Sequence, residues 1–273
     1  MVSNVTSTLT SNVKQIALDA GFVAVGITIP DRLENLPHGW VGQARRLQPP
    51  EEEFPPVNSI IVMAFYVWDE IFNINIRAPN GIDSGNSSSF DSFEGYFISY
   101  EVMKNKAWKV IQYLESQGHN AIYSAGIPLK PIAVQCGLGW QGKSTLLVTP
   151  HHGPRVNLIA ILTDAELDCD EPFQEDLCKD CMKCVKACPA QALAPYECNI
   201  FRCIVYALEC PDDPEVPEKV RKIEQRLTAR PTVHSYIECS RCMDVCPYGN
   251  PSRELLEQVS ESSHSFVLRS YAL

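Results

Sequence analysis

The chain has 273 residues and a formal net charge of -10, a balance that argues against a general nucleic-acid-binding surface but leaves room for a local basic patch. Its hydrophobic fraction of 45% is enough to bury the core of one large domain or two ordinary ones. No apolar run approaches the roughly 20 residues that span a bilayer, and the polar start lacks a signal-peptide core, so we expect a cytoplasmic protein without membrane contact.

The first part of the chain predicts a mixed α and β domain. Apolar residues from Val13 to Ala20 recur at helical spacing, and Gly21 would end that helix. A second helix is predicted over residues 100–117, with Gly118 as its C-cap. The other predicted elements, in chain order, are a strand at 22–29, an irregular loop at 47–56, a buried strand at 59–67, a loop at 80–92, a strand at 119–123, a helix at 127–136, and paired strands at 144–149 and 156–163.

The twelve cysteines are unevenly distributed, since all except Cys136 lie between Cys169 and Cys246. We therefore predict two domains, 1–167 and 168–273. Dense cysteines in a chain without an export signal more often bind metal than form disulfides, because a reducing compartment keeps thiols free.

One cysteine run has the spacing of a two-cluster ferredoxin: Cys178-x2-Cys181-x2-Cys184-x3-Cys188-Pro189. In that pattern three thiolates hold one [4Fe-4S] cluster and the fourth binds the other cluster. A second unit, Cys239-x2-Cys242-x3-Cys246-Pro247, supplies three more ligands. The crossed rule predicts one cluster on Cys178, Cys181, Cys184 and Cys246, and a second on Cys188, Cys239, Cys242 and either Cys203 or Cys198. A zinc site is the alternative, but zinc uses separated ligand pairs and not this contiguous run.

A glycine-rich segment precedes the cysteines, from Gly126 to Lys143. Its glycines allow close backbone approach and its lysines supply positive charge, so it could hold the anionic tail of a cofactor. It matches neither the phosphate-binding P-loop nor the dinucleotide fingerprint, and a purely structural turn is the alternative. The candidate cofactor-binding residues are Lys130, Gly137, Gly139, Trp140, Gly142 and Lys143.

Several of these motifs resemble those of epoxyqueuosine reductases and their relatives, the corrinoid-dependent reductive dehalogenases. The segments that carry the resemblance are Gly137-Leu-Gly-Trp-x-Gly-Lys143, Leu146-Leu147, Gly153-Pro154, Thr163-Asp164, the run from Cys178 to Pro189, Ile127-Pro-Leu129 and the turn from Thr149 to Arg155. The resemblance implies an α+β protein, with a nitroreductase-like α/β sandwich domain that binds cobalamin and a two-cluster ferredoxin-like domain that feeds it electrons. It also implies Cys203 as the eighth ligand, because Arg202-Cys203-Ile204 matches the isolated ligand of the family.

The chain departs from the epoxyqueuosine reductase pattern in two ways. The aspartate thought to donate the proton is absent, and Tyr123 stands one residue from its gapless position. A phenol can act as a general acid, so Tyr123 is the candidate catalytic residue, with packing at a strand end as the alternative. We also find no counterpart of the C-terminal helical-repeat domain that helps these enzymes to grip transfer RNA.

The sequence therefore predicts an iron–sulfur oxidoreductase that passes electrons from two [4Fe-4S] clusters to cobalamin for reduction of a substrate. The alternatives are a ferredoxin-type electron-transfer protein that serves a partner enzyme, and a flavin-dependent reductase. The expected partner is an external low-potential electron donor of the ferredoxin or flavodoxin type. A tRNA is a second possible partner, although the acidic net charge of the chain argues against it. A basic helix at residues 219–230 is either a solvated face or a docking site for RNA or an acidic redox partner.

Overall fold

The computed structural model describes residues 2–33, 39–41, 45–47, 49–67, 74–77, 95–124, 126–232 and 235–249. The predicted loop at 80–92 and the end of the chain after residue 249 lie outside these ranges. Within them, no helix combines the length and the apolar character that crossing a membrane requires.

The helices alternate with short strands along most of the described chain. The helices are α1 (Val2–Asp19), α2 (Pro50–Glu53), α3 (Ile98–Ser116), α4 (Leu129–Gln135), α5 (Lys183–Ala187), α6 (Ile204–Glu209), α7 (Glu218–Leu227) and α8 (Arg241–Asp244), with 3-10 turns at Pro30–Leu33 and Ile200–Arg202. The strands are β1 (Ala24–Thr28), β2 (Gly39–Val41), β3 (Arg45–Leu47), β4 (Ser59–Tyr66), β5 (Ile74–Arg77), β6 (Gly95–Phe97), β7 (Ala121–Ser124), β8 (Trp140–Gln141), β9 (Leu147–Val148), β10 (Val156–Thr163), β11 (Leu193–Ala194), β12 (Glu197–Cys198) and β13 (Ser235–Ile237).

The main sheet has the strand order β1-β4-β10-β7, and each neighbouring pair is antiparallel. Successive side chains of a strand point to opposite faces. Ile61 and Met63 of β4 therefore pack with α1 and α3 on one face, while Ile60 and Val62 pack with α4 on the other. Helices on both faces explain why β4 reads as a continuous apolar run instead of an alternating one.

The longest predicted elements are confirmed. Val13 and Ala17 are fully buried on the inner face of α1. Gly21 follows that helix with φ +96°, and Gly118 follows α3 with φ +86°. Positive φ is accessible to glycine without strain, so both residues can end a helix.

Two predicted elements were wrong. Residues 47–56 are not irregular throughout, because Pro50 opens the one-turn helix α2, whose first turn carries three glutamates that favour a helix N-terminus. The strands at 144–149 and 156–163 do not pair with each other. Instead β9 pairs with β8, and β10 lies between β4 and β7, where its apolar side chains are covered on both faces.

The cysteine-rich part forms a smaller core around α6 and α7, built from Ile204, Tyr206 and Val220. It is joined to the first part by β13, which pairs with β5 and places Tyr236 opposite Asn75. The mixed α and β class is confirmed. The nitroreductase-like sandwich and the division at 167/168 stay predictions.

Candidate iron–sulfur site

The cysteines of the two motifs lie in loops and short helices at the end of the described chain. Cys184 is in α5 and Cys242 is in α8, and these two helices contact each other. Cys203 lies immediately before α6. All twelve cysteines have free thiols, and Cys136 alone among them is buried. The packing of α5 on α8 brings the two sequence-distant motifs to one place.

Cys246 belongs to the second motif, and burial raises the pKa of its thiol. The charges of Cys178, Cys184 and Cys181, all from the first motif, raise this pKa further. The crossed assignment of Cys246 to the first cluster stays a prediction.

The Cys242 thiol is affected by cysteines of both motifs. Burial raises the pKa of this thiol to about 12. The charges of Cys239, Cys203, Cys188 and Cys184 raise it further, in decreasing order. The assignment of Cys188 to the second cluster stays a prediction.

Cys198 and Cys203 contact each other, which bears on the choice of eighth ligand. A hydrogen bond links the Cys198 and Cys203 side chains. The backbone amides of Tyr206 and Val205, at the start of α6, lower the pKa of the Cys203 thiol. Metals bind the thiolate form, and Cys203 as the eighth ligand stays a prediction.

Two of the thiols accept hydrogen bonds from nitrogen donors. The indole Nε1–H of Trp140 donates to Sγ of Cys178 over 3.3 Å, and the amide of Ala192 donates to Sγ of Cys188 over 3.2 Å. Trp140 is only 2% exposed. Its ring packs between Phe173 at 5.7 Å and Tyr248 at 4.9 Å between centroids. Donors of this kind are among the features that set the potential of an iron–sulfur cluster.

The predicted glycine-rich segment contacts its own chain closely. A Cβ on Gly139 would lie 2.1 Å from the carbonyl oxygen of Val148, and one on Gly137 would lie 2.6 Å from that of Glu171. Gly137 also has φ +74°. The close packing of the segment against its own chain therefore requires glycine at both positions. This agrees with the alternative in which the segment is a structural turn.

The two predicted lysines face the cysteine loops. Lys143 is 8% exposed, and its Nζ donates to the carbonyl of Lys179, which lies between Cys178 and Cys181. The charge of Lys130 in α4 lowers the pKa of the Cys203 thiol, as the last of several causes. Lys143 thus links the first part of the chain to the cysteine-rich part through a hydrogen bond.

Tyr123 does not lie with the glycine-rich segment. It packs with α1 and α3 on one face of the sheet, whereas Leu138 packs on the opposite face with α4. The hydroxyl of Tyr123 donates to the carbonyl of Lys104 over 2.7 Å, and burial raises the pKa of the phenol. Its role as a general acid stays a prediction.

The contact between Ser124, the neighbour of Tyr123, and Glu53 could not be predicted from the sequence. Ser124 is 1% exposed and donates from its hydroxyl to Oε2 of Glu53 over 2.6 Å. Because successive residues of β7 alternate in direction, Ser124 lies on the face opposite Tyr123. Only the pairing of β7 with β10 and the position of α2 bring this carboxylate to the strand.

Within the described ranges, no three histidine, cysteine or carboxylate side chains are grouped as the ligands of a single metal ion. A cubane does not need such a group, because each thiolate binds a different iron corner. The donor set of thiols with N–H···S hydrogen bonds suits iron–sulfur clusters.

Comparison with known families matches both motifs separately. A 4Fe-4S binding domain matches residues 173–193, and another 4Fe-4S binding domain matches residues 237–249. These matches support iron–sulfur clusters in the part of the chain where the thiols gather.

Sequence relatives fall into two groups. The epoxyqueuosine reductase of Escherichia coli (strain K12) is 27% identical over 272 residues, which are 92% of this chain and 68% of that protein. The epoxyqueuosine reductase of Francisella cf. novicida is 27% identical over 210 residues, covering 74% of this chain and 55% of that protein. A tetrachloroethene reductive dehalogenase of Desulfitobacterium hafniense is 32% identical over 161 residues, covering 55% of this chain and 28% of that protein.

Solved structures share the fold at low identity. An epoxyqueuosine reductase crystallised with an epoxyqueuosine-modified tRNA stem loop has a TM-score of 0.65 at 19% identity, covering 89% of this chain and 65% of that one. A reductive dehalogenase described as suggesting a mechanism for B12-dependent dehalogenation has a TM-score of 0.58 at 16% identity, covering 92% of this chain and 33% of that one. None of the relatives named here gives support to the flavin alternative.

The chain spans between about half and two thirds of the length of the epoxyqueuosine reductases that it matches. The resemblance predicted from the motifs is confirmed at the level of the 4Fe-4S domains, the sequence relatives and the fold. This chain is therefore similar to the epoxyqueuosine reductases and, over part of its length, to the reductive dehalogenases, and two of its segments match 4Fe-4S binding domains.

Proposed function

We propose that this chain is a reductase in which two [4Fe-4S] clusters relay single electrons to a cobalamin held by the first domain. When bound, such clusters supply one-electron transfer. The observation that carries the proposal is the contact of α5 with α8, which brings Cys184 of the first motif and Cys242 of the second motif to one place. A crossed exchange of ligands between two motifs is characteristic of two-cluster ferredoxins.

The proposed ligands follow from the crossed rule of two-cluster ferredoxins and from the resemblance at Cys203. Cys178, Cys181, Cys184 and Cys246 would hold the first cluster. Cys188, Cys203, Cys239 and Cys242 would hold the second. Trp140 and the amide of Ala192 would donate hydrogen bonds to one ligand sulfur of each cluster.

For cobalamin, the support comes from the B12-dependent reductive dehalogenase that shares the fold. In the glycine-rich segment, Gly137 and Gly139 lie against the carbonyls of Glu171 and Val148, and Lys143 donates to the carbonyl of Lys179 in the Cys178 loop. These contacts support the cysteine loops, and the cofactor-binding role of the segment stays a prediction. Cobalamin remains part of the proposal without an assigned set of contacts.

The substrate and partners are proposed from the relatives. One epoxyqueuosine reductase of this fold was crystallised with a modified tRNA stem loop, so we propose reduction of a modified nucleoside in tRNA as the reaction to test first. Electrons would come from an external low-potential donor of the ferredoxin or flavodoxin type. Tyr123 is the proposed proton donor.

The proposal is tested on anaerobically purified full-length chain with and without added cobalamin. We expect about eight iron and about eight sulfide atoms per chain, the content of two cubanes, and corrinoid absorption that is retained through gel filtration. Far fewer iron and sulfide atoms would overturn the relay. Full clusters without retained corrinoid would instead favour an electron-transfer protein that serves another enzyme.

A further inference from the structure

The outward face of α7 carries a cluster of positive charge. Lys219, Lys222 and Arg226 are exposed, and with the half-buried Ile223 they line a shallow groove on the surface. Residues three and four apart lie on one face of a helix, so the three cations point to the same side. We call these four residues the basic face.

Other cations of this segment have structural roles. Arg221 donates to the backbone carbonyls of Pro211 and Asp213, and Arg230 pairs with the buried carboxylate of Glu224. Their charges are therefore used within the fold. The basic run predicted from the sequence divides into arginines that anchor α7 and cations that face outward.

The carboxylates of α7 leave the basic face largely positive. Lys222 lies 3.7 Å from Glu218, in a pair whose side chains are both 72% exposed and whose mutual stabilisation is therefore small. Within the part of the chain that the structure describes, neither Lys219 nor Arg226 takes part in an ion pair.

The side of α7 opposite the cations shares an apolar core with two of the proposed cluster ligands. Val220 is buried in this core, and Cys203 and Cys239 pack against it. The basic face therefore lies on a helix that is packed into the same core as two thiols that we propose as ligands of the second cluster.

We propose that the basic face is the docking surface for an acidic one-electron carrier protein of the ferredoxin or flavodoxin kind, an inference that rests on the proposed function. The chain as a whole carries a net charge of -10 and would repel such a partner. Charges beyond a Debye length of about 8–10 Å are screened, however, so the local cations decide the approach. Complementary charge raises the rate of encounter.

An RNA partner fits this surface less well. Three cations could neutralise only a few phosphates, whereas nucleic-acid binding draws most of its affinity from many such contacts. A small face with an apolar residue among the cations matches the limited interfaces of redox encounters, which bury less than about 1,200 Å². The reaction at this face is a one-electron transfer: the carrier is oxidised by one electron, this chain gains it, and no bond forms or breaks.

The test is the rate at which reduced flavodoxin or reduced two-cluster ferredoxin reduces the oxidised, cluster-loaded chain in stopped flow. The variant is Lys219→Glu combined with Arg226→Glu. The matched control is Lys109→Glu, which reverses an exposed charge on α3, a helix that packs on the main sheet. We expect the second-order rate constant to fall about tenfold or more in the double variant and to stay unchanged in the control. Photoreduction by a small deazaflavin, which needs no docking surface, should be equal in all three proteins.

The wild-type chain gives a readout that does not depend on any variant. Its rate with the carrier protein should fall steeply as ionic strength rises from about 20 mM to about 200 mM, because salt screens the attraction. A salt-independent wild-type rate, or an unchanged rate in the double variant, overturns the docking surface. Loss of tRNA stem-loop binding with an unchanged reduction rate also overturns it in favour of an RNA site. Failure of deazaflavin to reduce the wild-type chain would count against the proposed function itself.

Discussion

Replacement of Trp140 by phenylalanine tests the link between the first part of the chain and the first proposed cluster. The indole Nε1–H donates to Sγ of Cys178 over 3.3 Å, and phenylalanine retains an aromatic ring but has no donor. The ring would still face Phe173 and Tyr248, which flank Trp140 on two sides. The substitution therefore removes the hydrogen bond and keeps most of the packing.

The expected shift follows from the energy of that hydrogen bond. A bond to a charged group contributes about 1.5–3 kcal/mol, and part of it, about 1 kcal/mol, should favour the more negative reduced cluster over the oxidised one. For a one-electron couple, about 59 mV corresponds to a tenfold change in equilibrium, or about 1.4 kcal/mol. Loss of the donor should therefore lower the midpoint potential of one cluster by about 40 mV. The smaller ring should also cost about 1–2 kcal/mol of folding stability.

The assay is an EPR-monitored redox titration, with iron and sulfide counts on the same samples. Trp108→Phe is the matched control, because Trp108 is 45% exposed on α3 and packs against Tyr123 instead of a cysteine. We expect one of two potentials to move in Trp140→Phe and neither to move in Trp108→Phe.

A potential that stays within about 10 mV of the wild type, with the iron content intact, would show that the Trp140 hydrogen bond does not favour the reduced cluster, since a preference of about 1 kcal/mol corresponds to about 40 mV. If Trp140→Phe loses iron, ENDOR spectroscopy of wild-type chain labelled with indole ¹⁵N still decides. A ¹⁵N coupling to a reduced cluster is expected, and its absence contradicts the contact.

Three further substitutions test the remaining assignments. Cys203→Ala, which leaves no donor atom, should lose about four of about eight irons, while Cys198→Ala should keep them; equal iron counts in the two variants would remove Cys203 from the ligand set. Tyr123→Phe should cost about 1 kcal/mol of unfolding free energy in urea through its lost hydrogen bond, and unchanged turnover in an established activity assay would end its role as proton donor. Gly139→Ala should cost about 3 kcal/mol or prevent folding, because its Cβ would lie 2.1 Å from the carbonyl oxygen of Val148. A stable Gly139→Ala protein would mean that this segment has room for a cofactor.

Local patterns in the sequence predicted much of the main sheet and its helices. The helix that ends before Gly21 and the buried strand at 59–66 follow from apolar spacing over a few turns or a few residues. The cysteine motifs are equally local, because the two-residue spacings that bend one loop around three cluster corners lie within a dozen residues. Each of these features can be predicted from a short stretch of sequence, without knowing where the rest of the chain lies.

Contacts between distant segments could not be predicted in this way. The strand β10 was expected beside β9, yet it lies between β4 and β7, where burial on both faces stabilises an apolar strand most. The position of Tyr123 relative to the glycine-rich segment could not be predicted either, because it depends on which face of the sheet the side chain occupies.

The ferredoxin-type cysteine motifs and the apolar α and β core can be predicted from residue spacings along the chain. The groups that surround the sulfurs depend on the folded chain: Trp140 and Cys178 are 38 residues apart, and Lys143 reaches the loop of Cys178 through the carbonyl of Lys179. One short loop sets the spacing of the ligands, whereas a donor to that loop is brought there by the packing of the whole chain.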